Sequence, residues 1–312
     1  MHIILKYSKL LTATLIASLI VSMSSCNKDD SQPGIKLVNP DYKDLQLSSG
    51  FVNNGISINA GDWAVEYVKD AVSGEMLLDK AGKPVALNSF GIVETQTGWL
   101  KLERNQADNL LTLSLKENFS ANPRKFLIGI IADGKRDELS FTQTRGEGYA
   151  IVKKEIIEVP GSRKEYTSDE GIQAITLSNG SSTARNMETS VIFRNVHYMS
   201  EFSSEYYGAF DWMNSQDSLI FMDEVVRAGA TYWAAKVPYK KGIALEPYFN
   251  TGSKEELTVR PYTNVRVGGE VLYLERECLY TFTIKNLSSG HTFEISGTWK
   301  QKIPLSHTTH VY

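Results

Sequence analysis

Residues Lys125–Gln143 read KFLIGIIADGKRDELSFTQ, and this stretch decides the fold class. An apolar run leads into Asp133-Gly134, and an alternating run leads out of it. An Asp-Gly pair favours a two-residue connection between antiparallel strands, because Gly accepts positive φ without steric cost. The stretch therefore reads as a β-hairpin. The same signal recurs on either side. LLTLSL places Leu111, Leu113 and Leu115 on one face and Thr112 and Ser114 on the other. HTFEISGTWK alternates Phe293, Ile295, Gly297 and Trp299 against Thr292, Glu294, Ser296 and Thr298. A period of two with one polar face means antiparallel sheets, each with one side on a core. No long amphipathic helix interrupts the pattern; Met199 to Val226 is the stretch where a helical turn or two fits best. The expected fold class is all-β, as two consecutive antiparallel β-sandwiches of immunoglobulin-like type.

The N-terminus reads as an address. Lys6 and Lys9 form a basic start, and Leu10 to Met23 is apolar apart from two Thr and two Ser. That stretch is too short and too polar for a membrane span of about 20 apolar residues. It has the charge, length and small-residue end of a secretory signal peptide. Met23-Ser24-Ser25-Cys26 resembles a bacterial lipobox, which implies cleavage after residue 25 and lipidation of Cys26. Two or more acyl chains hold a protein firmly at a bilayer, since each buried CH₂ contributes about 0.8 kcal/mol. Lys28-Asp29-Asp30 resembles the lipoprotein export signal of Bacteroidetes, which implies the outer face of the outer membrane. Residues 26–34 are then a lipidated tether, continued by Ser31, Gln32, Pro33 and Gly34.

Removing residues 1–25 deletes two lysines, leaving 31 basic against 36 acidic residues. The absence of a basic surplus argues against a nucleic-acid partner. If Cys26 is acylated, Cys278 has no internal partner, and its place in ECLYTFTI beside Tyr280, Phe282 and Ile284 reads as core.

Residues 35–147 form the first expected domain. GDWAVEY, GWLKLERN, NLLTLSLKENFSANPRKFLIGI and DGKRDELSFTQ follow one another in it. In order and spacing they resemble the BACON domain, an immunoglobulin-like sandwich. The residues that carry the likeness are Trp63, Trp99-Leu100, Asn118 or Asn122, Arg124 and Thr142-Gln143. The stretch between Trp63 and Trp99 is longer than in that family. The resemblance implies carbohydrate binding or a spacer role. Trp63 shares a face with Val65 and Tyr67 and reads as core, the face of Trp99 is undecided, and the spacer role is favoured.

Residues 148–312 form the second expected domain. Asn179-Gly180 reads as a turn between apolar runs, and Lys240-Lys241-Gly242 as a turn between paired strands. LYLERECLYTFTIKNLSSGHTFEISGTWK is loosely similar to the C-terminal region of fimbrillin-type proteins, which implies a pilus or assembly subunit as an alternative.

No nucleophile elbow, zinc-protease motif or phosphate-binding loop is present. Asp223-Glu224 would point to opposite faces of a strand, wrong for a glycosidase pair. His307 and His310 lack a third metal ligand nearby. No catalytic residue, metal or cofactor is expected. Aromatics remain, 15 Tyr and 5 Trp. Sugars stack on flat rings while amides and carboxylates address their hydroxyls. Trp233 and Trp299 alternate with apolar residues and read inward. EFSSEYYGAFDWMNSQD breaks alternation and mixes rings with polar groups. Tyr206, Tyr207 and Trp212, with Tyr248, are the candidate ligand-binding residues. The same composition suits a loop folded over a sandwich end, so both roles stay open. Asp217-Ser218-Leu219 resembles the O-glycosylation site used on exported proteins of Bacteroidetes.

The chain is thus expected to be a lipid-anchored protein of the outer-membrane surface, binding a glycan or glycoprotein without catalysis. Surface-protein partners are further candidates. A weaker alternative is an accessory to glycan-processing enzymes.

Overall fold

The computed structural model describes residues 36–50, 54–213, 219–249 and 254–312. Its N-terminal strands are β1 (Asp44–Leu47), β2 (Asn54–Ser57), β3 (Ala64–Asp70), β4 (Gly91–Glu94), β5 (Leu100–Arg104), β6 (Leu110–Leu115), β7 (Arg124–Ala132) and β8 (Lys135–Gln143). They make two four-stranded sheets, ordered β1-β8-β7-β3 and β2-β6-β5-β4. The hairpin β7–β8 closes through Asp133 and Gly134, at φ of 49° and 72°, with Ala132 opposite Lys135. Alternation sorts the faces as the sequence predicts. Leu111, Leu113, Leu100 and Leu102 of one sheet meet Phe126, Ile128, Ile130 and Phe141 of the other in one buried core. Trp63 lies in that core at 2% exposure, with the Arg104 guanidinium 4.3 Å over its ring. One pairing departs from the antiparallel expectation: β1 runs parallel to β8. A parallel neighbour needs a crossover, and the intervening strands supply it.

The strands that follow are β9 (Tyr149–Glu158), β10 (Lys164–Ser168), β11 (Ile175–Asn179), β12 (Arg185–Glu188), β13 (His197–Ser203), β14 (Leu219–Phe221), β15 (Val225–Arg227), β16 (Ala230–Trp233), β17 (Lys236–Pro238), β18 (Gly242–Pro247), β19 (Glu256–Val259), β20 (Thr263–Asn286) and β21 (Thr292–Val311). β20 and β21, of 24 and 20 residues, form a long hairpin. β9, β10 and β11 pair with β20, while β13 and then β18 extend the sheet beyond β21. Among the described residues, three two-stranded ladders, β12-β19, β14-β17 and β15-β16, stand outside that sheet.

One long strand serves two cores. Val267, Val271 and Tyr273 are buried in one cluster, and Cys278, Tyr280, Phe282 and Ile284 in another. The register shifts between Leu272 and Tyr273, and the buried positions change from odd to even there. The residue without a partner there is Leu305, on β21, so β20 keeps its own alternation and its odd and even positions face opposite sides of the sheet. Burial pushes the Cys278 thiol up to about 11, as befits a core cysteine.

Two expected turns are differently placed. Asn179 ends β11, but β11 pairs with β20 and β12 with β19, so Asn179-Gly180 joins two ladders. The Asn179 side-chain amide donates to the carbonyls of Thr183, Val259 and Arg260, which holds the strand end in place. Lys240-Lys241 likewise separates β17, paired with β14, from β18, paired with β13. The short hairpin in that region turns instead at Ala228-Gly229, at φ of 48° and 79°.

Residues Leu37–Tyr312 form one compact unit, in which β1 to β8 and the strands from β9 onward belong to separate sheets. Two side chains interlock the sheets. Phe119, from the loop after β6, enters the core that contains Trp299, and Tyr207 packs against the cores of both halves. Gly208 sits at φ +68° directly against the Phe119 ring, where a Cβ would collide with it.

Candidate functional site

The loop after β13 supplies most of the sequence-predicted site. Ser204 starts it: its Oγ donates to the Ser296 carbonyl at 2.7 Å and accepts from the Tyr206 amide at 3.1 Å. The loop then folds back over the sheet. Ala209 and Trp212 are 2% and 5% exposed. Trp212 is therefore core and cannot be the exposed stacking ring the sequence suggested. Its indole packs 5.9 Å from Tyr239, in the cluster that also holds Phe282. The loop lacks alternation because it covers a sandwich end, where the backbone turns and every apolar ring is drawn inward.

Tyr207 is half-buried, and its hydroxyl accepts from Arg124 at 3.0 Å, so it joins the two halves structurally. Tyr248 stands apart from this loop. Its hydroxyl is 2.9 Å from His307 Nδ1, and its ring packs on Phe249. His307 Nε2 in turn lies 2.7 Å from Glu255. Burial pushes the Tyr248 phenol up to about 12. Ser218, like Cys26, Lys28, Asp29 and Asp30, lies outside the described residues.

Of the four predicted rings, Tyr206 borders two cavities. It is half-buried and nearly parallel to Phe293, at 6.1 Å between centroids and 14°. Burial is the main reason its phenol is pushed up to about 12. On one side it lines a groove of about 340 Å³, together with Trp99, Lys101, Lys116, His291 and Phe293. On the other it lines a cavity of about 320 Å³, with Ser204, Asp211, Lys240 and Lys241. Volumes of this size suit a small ligand or a sugar unit or two. The groove lies where the N-terminal sheets meet the tip of the β20–β21 hairpin.

Its floor is a polar network. Glu117 is 1% exposed. It accepts from Asn286 at 3.0 Å and from Tyr149 at 3.1 Å through Oε2, and its Oε1 lies 3.0 Å from His291 Nδ1. Burial lifts its carboxyl above the usual value, and these three contacts oppose the lift. Asn118, Arg124 and Gln143 converge beside it. Arg124 donates to Gln143 Oε1 at 2.5 Å, and Asn118 donates to the Gln143 carbonyl at 3.2 Å. Arg124 also covers the Trp99 ring at 4.2 Å, which leaves Trp99 9% exposed with an edge toward the groove.

Sequence reasoning missed Lys116, His291 and Phe293. Phe293 reads as core because it alternates with Ile295 and Trp299, yet it lies at the hairpin tip, where the core ends. Nothing in LSLKENFS distinguishes Lys116 from any strand-end lysine. Among the described residues, no group of three His, Cys, Asp or Glu side chains is placed to hold a metal.

No family model matches the chain, and no curated protein matches it in sequence. Among solved structures it is similar to a protein from Bacteroides thetaiotaomicron studied by NMR, at 20% identity, covering 34% of this chain and 79% of that one, with a TM-score of 0.26. It is also similar to a lamprey immune protein, at 10% identity over 84% of this chain and 96% of that one, with a TM-score of 0.30. The parasporin-2 toxin of Bacillus thuringiensis, which recognises cancer cells, is similar at 9% identity over 61% and 75%, with a TM-score of 0.25.

Proposed function

We propose that this chain is a lipid-anchored surface protein that binds glycans without catalysis, through the groove beside Tyr206. The observation that carries the reading is the ring wall of Tyr206, Phe293 and the Trp99 edge around a cavity of about 340 Å³ with polar groups at its rim. Flat rings offer the CH face of a sugar a surface, and the rim addresses its hydroxyls. The BACON-like half contributes one wall, so it does more than space the site from the membrane.

A glycan array on residues 27–312, followed by isothermal titration of the best hit, tests this. Tyr206→Ala should weaken binding about tenfold, the equivalent of one lost stacking contact of about 1.4 kcal/mol. Tyr248→Ala, in a separate cluster, should leave affinity unchanged. Equal loss in both variants would point to a general folding defect and remove the assignment.

Anchoring is the second part of the proposal. Cys26→Ala should release the protein from the membrane fraction, and replacing Lys28, Asp29 and Asp30 with Ala should keep it bound but hide it from external protease. Unchanged protease access in both variants would exclude the surface address.

The assembly alternative has one observation in its favour. Among the described residues β18 pairs with β13 alone, and its Ile243 and Leu245 are 57% and 59% exposed. Such an edge is a template for a partner strand. Mass measurement in solution separates the readings: a concentration-independent monomer that binds glycan argues for the groove.

A further inference from the structure

We infer that the groove selects acidic glycans, with Lys116 binding a sugar carboxylate or sulfate while the Tyr206 wall stacks its ring. This deepens the glycan reading above and depends on it. Most charges at the groove are already neutralised. Glu94 forms an ion pair with Lys80. Lys101 Nζ stands 3.4 Å from Glu103. Glu117 is buried, and its two oxygens are occupied by Asn286, Tyr149 and His291. Lys116 is the exception. Its Nζ rests 4.8 Å over the Tyr206 ring, and among the described residues it forms no ion pair.

An ammonium held over an aromatic wall is a poor match for a neutral sugar. It is partly stripped of water by the ring, and an anion is the partner that compensates for this. Nor does Lys116 belong to a generally basic surface, since the whole chain carries a net charge of −3. The negative groups that would repel an acidic sugar are the ones tied up. Glu94 is held by Lys80, and Glu117 turns its oxygens to the floor network. A uronic acid or a sulfated hexose places its anion a few ångströms from the CH face of its own ring. That matches a cation standing 4.8 Å from the centroid of a ring in the stacking platform.

The test uses matched pairs of probes that differ in charge alone. Oligogalacturonate is compared with its methyl ester, and chondroitin sulfate oligosaccharide with its desulfated, methyl-esterified form. Isothermal titration on residues 27–312 should show at least one acidic probe binding tenfold or more tighter than its neutral partner. The pair that responds tells carboxylate from sulfate. Lys116→Met should abolish that preference, bringing the acidic probe's affinity down to that of its neutral partner. Lys116→Arg should retain the preference, which separates charge from packing. Equal affinity within both pairs overturns the inference, and so does an acid preference that survives Lys116→Met. If neutral array glycans still bind through Tyr206 in that case, the glycan reading stands without the acidic selectivity. If no glycan on the array binds at all, both fail together.

Discussion

Trp299→Ala lowers the stability of the folded chain by about 3–5 kcal/mol, the range for truncating a fully buried Trp. The indole is 0% exposed, stacks on Phe202 at 6.0 Å, and lies 5.2 Å from the Arg276 guanidinium. Its Nε1 donates to Ser200 Oγ at 2.7 Å. Truncation therefore opens a cavity, strands a buried hydroxyl and loosens the join between β13 and β21. Trp212→Ala should fall in the same class, near the lower end, because Trp212 closes the same core from the loop side. Denaturant melts at constant pH measure both. A Trp212→Ala protein with an unchanged midpoint would return that ring to the surface and revive it as a stacking platform.

Glu117→Ala is the second large effect, about 2–4 kcal/mol, from losing the acceptor shared by Tyr149, Asn286 and His291. Asn286 keeps a bond to Ser49 at 2.7 Å, while the half-buried Tyr149 hydroxyl loses its carboxylate acceptor. Glu117→Gln retains an acceptor for Tyr149 and Asn286 and should lie close to wild type near neutral pH. The two variants also separate charge from geometry. Because burial lifts the Glu117 carboxyl, the folded chain holds that proton more tightly than the unfolded chain does. Its contribution is fully present below the usual carboxylate value and is lost as pH rises through the lifted one. His291 and Tyr149 face the same carboxylate and remain in the variant, so the difference between wild type and Glu117→Gln isolates this one group. Wild-type stability should decline relative to Glu117→Gln across that window. A flat difference curve would show that Glu117 does not titrate at a raised value.

Much of the molecule was readable before folding, and the reason is local. Alternation in LLTLSL and HTFEISGTWK depends on the strand period alone, so Leu111, Leu113, Ile295 and Trp299 are buried as read. Asp133-Gly134 makes its turn because positive φ is a property of those two residues and not of their surroundings. Cys278 is core for the same reason as its neighbours Tyr280 and Phe282.

Pairing and convergence followed a different rule. Asn179-Gly180 and Lys240-Lys241 have turn chemistry, but the strands they join pair elsewhere, since ladder partners are chosen by burial across the whole sheet. Trp212 and Tyr206 lie six residues apart in one loop of mixed composition. One enters the core and the other borders the groove, because the loop reverses between them at Gly208, against Phe119 from the opposite half. Lys116 and Tyr206 are ninety positions apart and meet only when the β20–β21 tip docks beside β6. Strand period and turn type are written into short stretches of chain. Which ring stays open to solvent, and which cation stands beside it, is set by contacts between residues distant in sequence, and those exist only in the folded chain.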